Sequence, residues 1–368
     1  MEGQWRGRYS GSATGNIMIN IDVVGKEYAA VAYLNPDDNR LPFTVAHFTV
    51  PEGYNGEAIT AHLGVINPKT LEQHPWEELR EQFDDDVEHP DNAELKVGYH
   101  TEFLKLHATT PEGATFSCEL PNSRLPDKSI LDGAKISWEE FKEKALGFEE
   151  EEAFLFRGQA KNWPLATSFH RRGRYRLGEF LNKDRIQLYR RLSAVTSHFF
   201  NLEIPDQNGA FFNLLQHHGY PTPLLDWSYS PFVAAFFAFS VLDKHKTYSE
   251  DECVRIFIFD RKSWSEKFIP LNYLDPAIPH ISVMDFVALD NPRKIPQQAI
   301  TTATNIVNVE DFIREQEIFH NKRFLAALDI PATERRKAMR ELAYMGITAG
   351  SIHPGIEGVC QEMLEKNF

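Results

Sequence analysis

Apolar residues recur at every second position near the start of the chain. Ile17, Ile19, Ile21 and Val23 alternate with Met18, Asn20 and Asp22, the period of a half-buried strand. Gly25-Lys26 supplies a turn, and Tyr28 to Leu34 is the returning strand of a hairpin. A second turn follows at Asn35-Pro36-Asp37-Asp38-Asn39. Residues 43–50, 104–108 and 114–120 read as further strands. Met1 to Gly15 is dense in Gly and Ser, with Trp5 and Tyr9 as aromatic anchors. Helical spacing marks Pro75 to Phe83, and the acidic run Asp84-Asp85-Asp86-Val87-Glu88 follows it. That run reads as a solvated loop, since it lacks the spacing and glycine of a calcium loop. Residues 1–125 are therefore expected to form a small antiparallel barrel or sandwich. They hold no catalytic constellation, which leaves them ligand sensing, partner binding or assembly.

The pattern changes after Pro121. The stretch to Gly133 is rich in Pro, Ser and Asp, and a linker is placed at 126–136, ahead of a mixed α+β unit at 137–368. Ser137 and Glu140 make a capping box for a helix that Gly147 ends. Ala153 to Phe156 reads as a buried strand closed by Arg157, with Gly158 there for a turn or a ligand's close approach. A helix at 184–200 carries Ile186, Tyr189, Leu192 and Val195 as a core stripe. Helices are expected at 211–217, at 232–242 with Pro231 at its first position, and at 332–345 before Gly346. Strands are expected at 253–260, 285–289 and 325–330. Residues 347–358 read as a glycine-rich loop.

The 368 residues are 42% hydrophobic and 25% charged, with a net charge of −14. That balance excludes broad nucleic-acid binding but leaves room for a local basic pocket at His170 to Arg176. Three scattered cysteines offer neither a disulfide framework nor a zinc site. With no signal peptide and no apolar run of membrane-spanning length, the expectation is a cytoplasmic protein without membrane contact. P-loop, dinucleotide, HExxH and nucleophile-elbow motifs are missing.

One stretch concentrates chemistry. From Phe211 to Phe239, Gln216, His217, His218, Thr222, Asp226 and Ser228 sit in a run otherwise apolar enough for a core. Buried polar groups must be paired, so such a mixture is a satisfied network or a site. Arg157, at the end of a core strand, must likewise pair with a carboxylate such as Asp226 or clamp an anion.

Phe156-Arg157-Gly158, and Gln216-His217-His218-Gly219-Tyr220-Pro221-Thr222-Pro223-Leu224-Leu225-Asp226-Trp227-Ser228, resemble the two signatures of the FRG domain family. Residues 346–347 and 353–358 resemble its closing motif. Pro223 stands where the family has Arg and Ser228 where it has Thr. Its third motif is approximated by Gln298-Ala299-Ile300-Thr301, or from Gln297. The layout is similar to that of ADP-ribosyltransferases. That likeness implies that Arg157 grips the phosphates of NAD and that Ser228 or Thr222 supports the ribose. Gln298 stands where those enzymes have Glu. An amide cannot act as a base, so the likeness implies either weak transfer chemistry or another carboxylate, such as Asp226, in its place. Gly158, Gln159, His217, Thr222 and Trp227 would complete the cofactor contacts, with His217 and Trp227 stacking on a ring. The resemblance implies an NAD-dependent ADP-ribosyltransferase or NAD glycohydrolase, without metal, acting as a bacterial or phage-encoded defence or toxin-type effector. The alternative is a non-catalytic module binding a nucleotide, small molecule or protein, in which residues 1–125 recognise the partner.

Overall fold

The alternating segments build a closed barrel. The computed structural model describes residues 1–84, 87–150, 152–271, 274–289 and 291–368. Its first eight long strands are β1 (Gly3–Gly11), β2 (Gly15–Val24), β3 (Glu27–Pro36), β4 (Phe43–Pro51), β5 (Ile59–Ile66), β7 (Asn92–Tyr99), β8 (Phe103–Thr109) and β9 (Thr115–Pro121). All pair antiparallel, and β4–β5 and β1–β9 pairing close the ring, so the barrel, not the sandwich, is realised. The short β6 (Gln73–His74) adds to the edge of β5. Asp85 and Asp86 of the acidic run lie outside the described residues. The stretch expected to be a glycine-rich anchor segment is β1. Its glycines allow close backbone approach: at Gly11, with φ +135°, a Cβ would fall 2.1 Å from the Thr115 carbonyl oxygen.

Strand β2 is not half-buried. Ile17, Ile19 and Ile21 point into the barrel as expected, but Met18 is 2%, Asn20 0% and Asp22 3% exposed. The reason is that the second half of the chain covers the outer face of β2 to β4. Met18, Val31, Tyr33 and Val45 share one apolar cluster with Trp264, Ile281 and Phe312. Several polar side chains there bond across the junction, although Asn20 Nδ2 and Asp275 Oδ1 find no partner. Gln4 Nε2 donates to Asn20 Oδ1 at 2.9 Å and to the Asn305 carbonyl at 2.7 Å. Asp22 accepts the Tyr175 N–H at 2.7 Å, and the Tyr33 hydroxyl donates to Asp275 at 2.7 Å.

The second half is α+β. Its strands are β10 (Ala134–Lys135), β11 (Phe154–Gln159), β12 (Leu224–Ser228), β13 (Cys253–Asp260), β14 (Ile281–Met284), β15 (Ala299–Thr304) and β16 (Leu325–Pro331). They stand in the order β10-β16-β13-β11-β12-β15-β14, with only β10–β16 parallel. The Ser137-capped helix Trp138–Leu146, with its capping box formed, the Ser230-capped helix Pro231–Ser240 and the helix Arg335–Tyr344 cover one face. The helix Val309–His320 packs on the other. Glu310, 1% exposed, accepts from Ser129 Oγ (2.7 Å), Ile130 N (2.9 Å) and Leu165 N (2.7 Å), tying the inter-unit segment to this helix.

Three expectations are corrected. The strand expected at 285–289 forms instead at Ile281–Met284, where Thr301 and Thr304 of β15 offer partners. The helix at 184–200 ends as Arg185–Leu192, leaving Val195 81% exposed instead of in the core. Residues 347–358 are not a loop: Thr348 caps the helix Ala349–Ile352, and Gly355 leads into the helix Ile356–Asn367. No helix among the described residues is long and apolar enough to cross a membrane.

Candidate functional site

Strands β11 and β12 pair through one residue pair, Phe156 opposite Ser228. Beyond it the ladder opens, and both strands border a cavity of about 780 Å³. Arg157 spans the opening. Its Nη1 donates to the backbone carbonyl of Asp226 at 2.6 Å, while its buried Nε has no partner. Arg157 and Gly158 lie inside β11 rather than beyond its end. Gly158 serves packing: a Cβ there would fall 1.8 Å from the Ala234 carbonyl oxygen of the helix Pro231–Ser240.

Alternation along β12 sends Asp226 and Trp227 to opposite sides. Asp226 is exposed, its carboxylate opening into the cavity. Burial of the surrounding cleft raises its pKa; Arg157, a hydrogen bond from the Gln216 side chain and Arg171 pull it back down. Trp227 borders the cavity, but its ring is turned into the core. It is 4% exposed, its Nε1 donates to Thr302 Oγ1 at 3.0 Å, and it packs on Phe259.

Thr222 and Gln298 do not line this cavity. Thr222 is 0% exposed and donates to Gln216 Oε1 at 2.7 Å. That bond fixes the Gln216 amide with its NH2 free for Asp226, so Thr222 acts on the site through Gln216. Gln298 has a left-handed backbone (φ 45°), accepts the Tyr229 N–H at 3.0 Å and faces a separate hollow beside Phe148 and Tyr229. Of the adjacent pair Gln297 and Gln298, Gln297 is the one that lines the main cavity, its Nε2 donating to the Ile352 carbonyl at 3.0 Å. Ser228 is engaged twice: its Oγ donates to the Gln297 carbonyl at 2.7 Å and accepts the Ser230 N–H at 3.0 Å. Gln159 lines the rim and donates to the Trp163 carbonyl at 2.9 Å.

The basic stretch at 170–176 does not act as one pocket. His170 is buried and neutral, its pKa depressed to about 3 by burial. Arg174 reaches Asp22 (3.3 Å) and Asp184 (3.1 Å), fastening the barrel instead. Arg171 alone borders the cavity, donating to the Ala166 carbonyl at 2.6 Å.

Other lining groups come from far along the chain. Arg293 pairs with Glu357 at 2.9 Å, and Lys294 with Asp285 at 2.7 Å. Burial, reinforced by Arg293, lowers the pKa of His217 and of His353, keeping both imidazoles neutral at pH 7. The sequence signal for His353 was its place in the closing motif; for Arg293 and Lys294 there was none. Among the described residues, no group of three or more His, Cys, Asp or Glu side chains is gathered as for a metal.

The cleft thus combines an open carboxylate, flanking guanidinium groups and neutral imidazoles. That arrangement suits a ligand with both anionic and hydroxyl-bearing parts.

The chain carries an FRG domain: the family model matches residues 152–247, which hold Arg157, Asp226 and the helix Pro231–Ser240. No curated protein matches the chain. Among solved structures it is similar to a chain from the de novo design of a fluorescence-activating β-barrel, at 10% sequence identity and a TM-score of 0.22, covering 33% of this chain and 93% of that one.

Proposed function

We propose that the cleft binds NAD and supports cleavage of its nicotinamide–ribose bond, as an NAD glycohydrolase or ADP-ribosyltransferase. The observation that carries this reading is the Asp226 carboxylate, open to the cavity and attracted by both Arg157 and Arg171. The two guanidinium groups answer a diphosphate. As the C1′–N bond breaks, its electron pair leaves with neutral nicotinamide, and the ribose gains positive charge that Asp226 stabilises. Water or a target nucleophile then bonds to C1′ and gives its proton to Asp226 or solvent. His217 offers a flat face, and Gln297 stands in reach of ribose hydroxyls. NAD is an intracellular cofactor, so a cytoplasmic effector of bacterial defence or toxin type is the setting that fits.

Calorimetric titration with NAD and an assay of nicotinamide release test the reading. Saturable binding with release is expected; Asp226→Asn should keep binding and lose release. Neither binding nor release from the unmodified chain would end it.

Ser228 favours a second reading, binding without turnover. Its hydroxyl is occupied on both sides by the backbone, so it supports the strand rather than a ribose. On that reading NAD binds, nicotinamide is not released, and Asp226→Asn weakens binding instead.

A further inference from the structure

The barrel interior is filled at one end and hollow at the other. Trp5, Ile21, Val50, Leu104 and Leu120, all fully or nearly fully buried, plug the first end. Toward the second, the inward positions are small: Ala32 faces Ala46 across β3–β4, Ala61 faces Ala93 across β5–β7, and Ala108 follows on β8. A cavity of about 430 Å³ remains, floored by Phe48, Leu95 and Leu106. An eight-stranded barrel is wide enough either to be filled by its own side chains or to hold one small ligand. A void that size, left empty, forfeits contacts and lowers stability. Larger side chains at the alanines would close it.

The lining sets the ligand's chemistry. Most side chains within are apolar. Thr44 and His89 engage each other at 3.2 Å, Thr110 is buried, and the titratable groups favour their neutral forms: burial lowers the pKa of His89 and pushes the Tyr9 phenol up to about 12 and the Cys118 thiol up to about 11. Exposed Ser12, Glu88 and Glu112 stand at the mouth. We infer that the barrel is a binding site for one neutral, mainly apolar small molecule, inserted rings or chain first with its single polar head at the mouth. The volume gives room for roughly two to three benzene-sized rings. This site is separate from the Asp226 cleft and does not depend on how that cleft is read.

The experiment is a fluorescence titration of the full chain with N-phenyl-1-naphthylamine. A blue-shifted enhancement saturating at about one equivalent is expected, reduced at least tenfold in affinity by Ala46→Phe and by Ala93→Leu, and unchanged by Arg157→Ala. A second measurement does not depend on the filled variants folding. In Cys253→Ser/Cys360→Ser chains, Cys118 is the remaining thiol, and the probe should slow its reaction with a thiol reagent at least tenfold. Absence of saturable binding, binding that survives filling in folded variants, or an unprotected Cys118 would each overturn the inference.

Discussion

Arg157 grips Asp226 by its backbone carbonyl, at 2.6 Å, and leaves the carboxylate to the cavity. The sequence had posed ion pair against ligand clamp as alternatives. The geometry separates them: one guanidinium nitrogen completes the opening ladder, while the buried Nε stays unpartnered. Arg157→Ala should cost about 2 kcal/mol of stability, the worth of a hydrogen bond from a charged donor, and abolish NAD binding. Arg157→Lys should keep most of the stability but not the binding, because an ammonium lacks the planar fork. Chemical denaturation and calorimetry read the two effects separately.

Asp226 should impose a pH dependence. Desolvation in the cleft raises its pKa from the ordinary aspartate value, against the pull of Arg157, Gln216 and Arg171, and the proposed chemistry needs the charged form. Nicotinamide release should therefore fall as pH is lowered through that raised value, at a pH above that of an ordinary aspartate. Asp226→Asn should remove the acid limb along with the activity. A pH–rate profile of the unmodified chain, with Asp226→Asn as the inactive control, decides this.

At the junction with the barrel, Asp275 is buried, with its pKa raised to about 6 and its Oδ1 unpartnered. The folded state then holds a proton that the unfolded chain releases near the ordinary aspartate value. Stability on this account is greatest at low pH, falls as pH rises from about 4 to about 6, and stays reduced at pH 7. The shift corresponds to about 3 kcal/mol, part of which an amide's own unpaired N–H returns. Asp275→Asn should be more stable than the parent at pH 7 by about 1–2 kcal/mol, with the gap closing near pH 4. Urea unfolding at the two pH values measures it.

His280 should act in the opposite sense. Burial lowers its pKa to about 4, and its ring nitrogens lie 3.0 Å from Ser282 Oγ and 3.3 Å from the Leu274 carbonyl. Below pH 6.5 the unfolded chain takes up a proton that the folded state refuses, so stability is lost as pH falls from about 6.5 to about 4. His280→Gln should be less stable than the parent at pH 7, from lost packing, yet show a shallower decline between pH 6.5 and 4.5. An unchanged slope would mean that the ring is charged in the fold.

Gly158→Ala should be severe. The added methyl would meet the Ala234 carbonyl oxygen at 1.8 Å, and backbone cannot swing aside as a side chain does. A loss of about 3 kcal/mol or more is expected from such overpacking, read as a lower thermal midpoint with ligand binding lost alongside it.

Much of this was legible in the sequence where one periodicity governed. Strands β2, β3, β4, β8, β9 and β13 follow from alternation, the Ser137 cap from capping chemistry, and the start of the next core helix from Pro231. β1 was hidden because its glycines suggest a loop, whereas in the fold they let neighbouring backbones approach. β7 has the same period as β2, but its first inward residue is Ala93, a weak apolar marker. Arg157 and Asp226 were found through their motifs, and the structure brings them together. The stacking role that the resemblance implies for Trp227 does not match its place: the strand's period of two turns its ring into the core. Arg293 and Lys294 reach the cavity through long-range folding that no local pattern encodes, and for His353 the closing motif was the signal.

The buried outer face of β2 to β4 has a consequence for how this protein can be taken apart. Met18, Val31, Tyr33 and Val45 belong to the same apolar cluster as Trp264 and Phe312, so neither half owns a finished surface. Scission between residues 121 and 134 would release two fragments, each baring half of that cluster, and would break the bonds of Gln4 to Asn305, Asp22 to Tyr175 and Tyr33 to Asp275. The barrel is thus less an appendage than the missing wall of its neighbour.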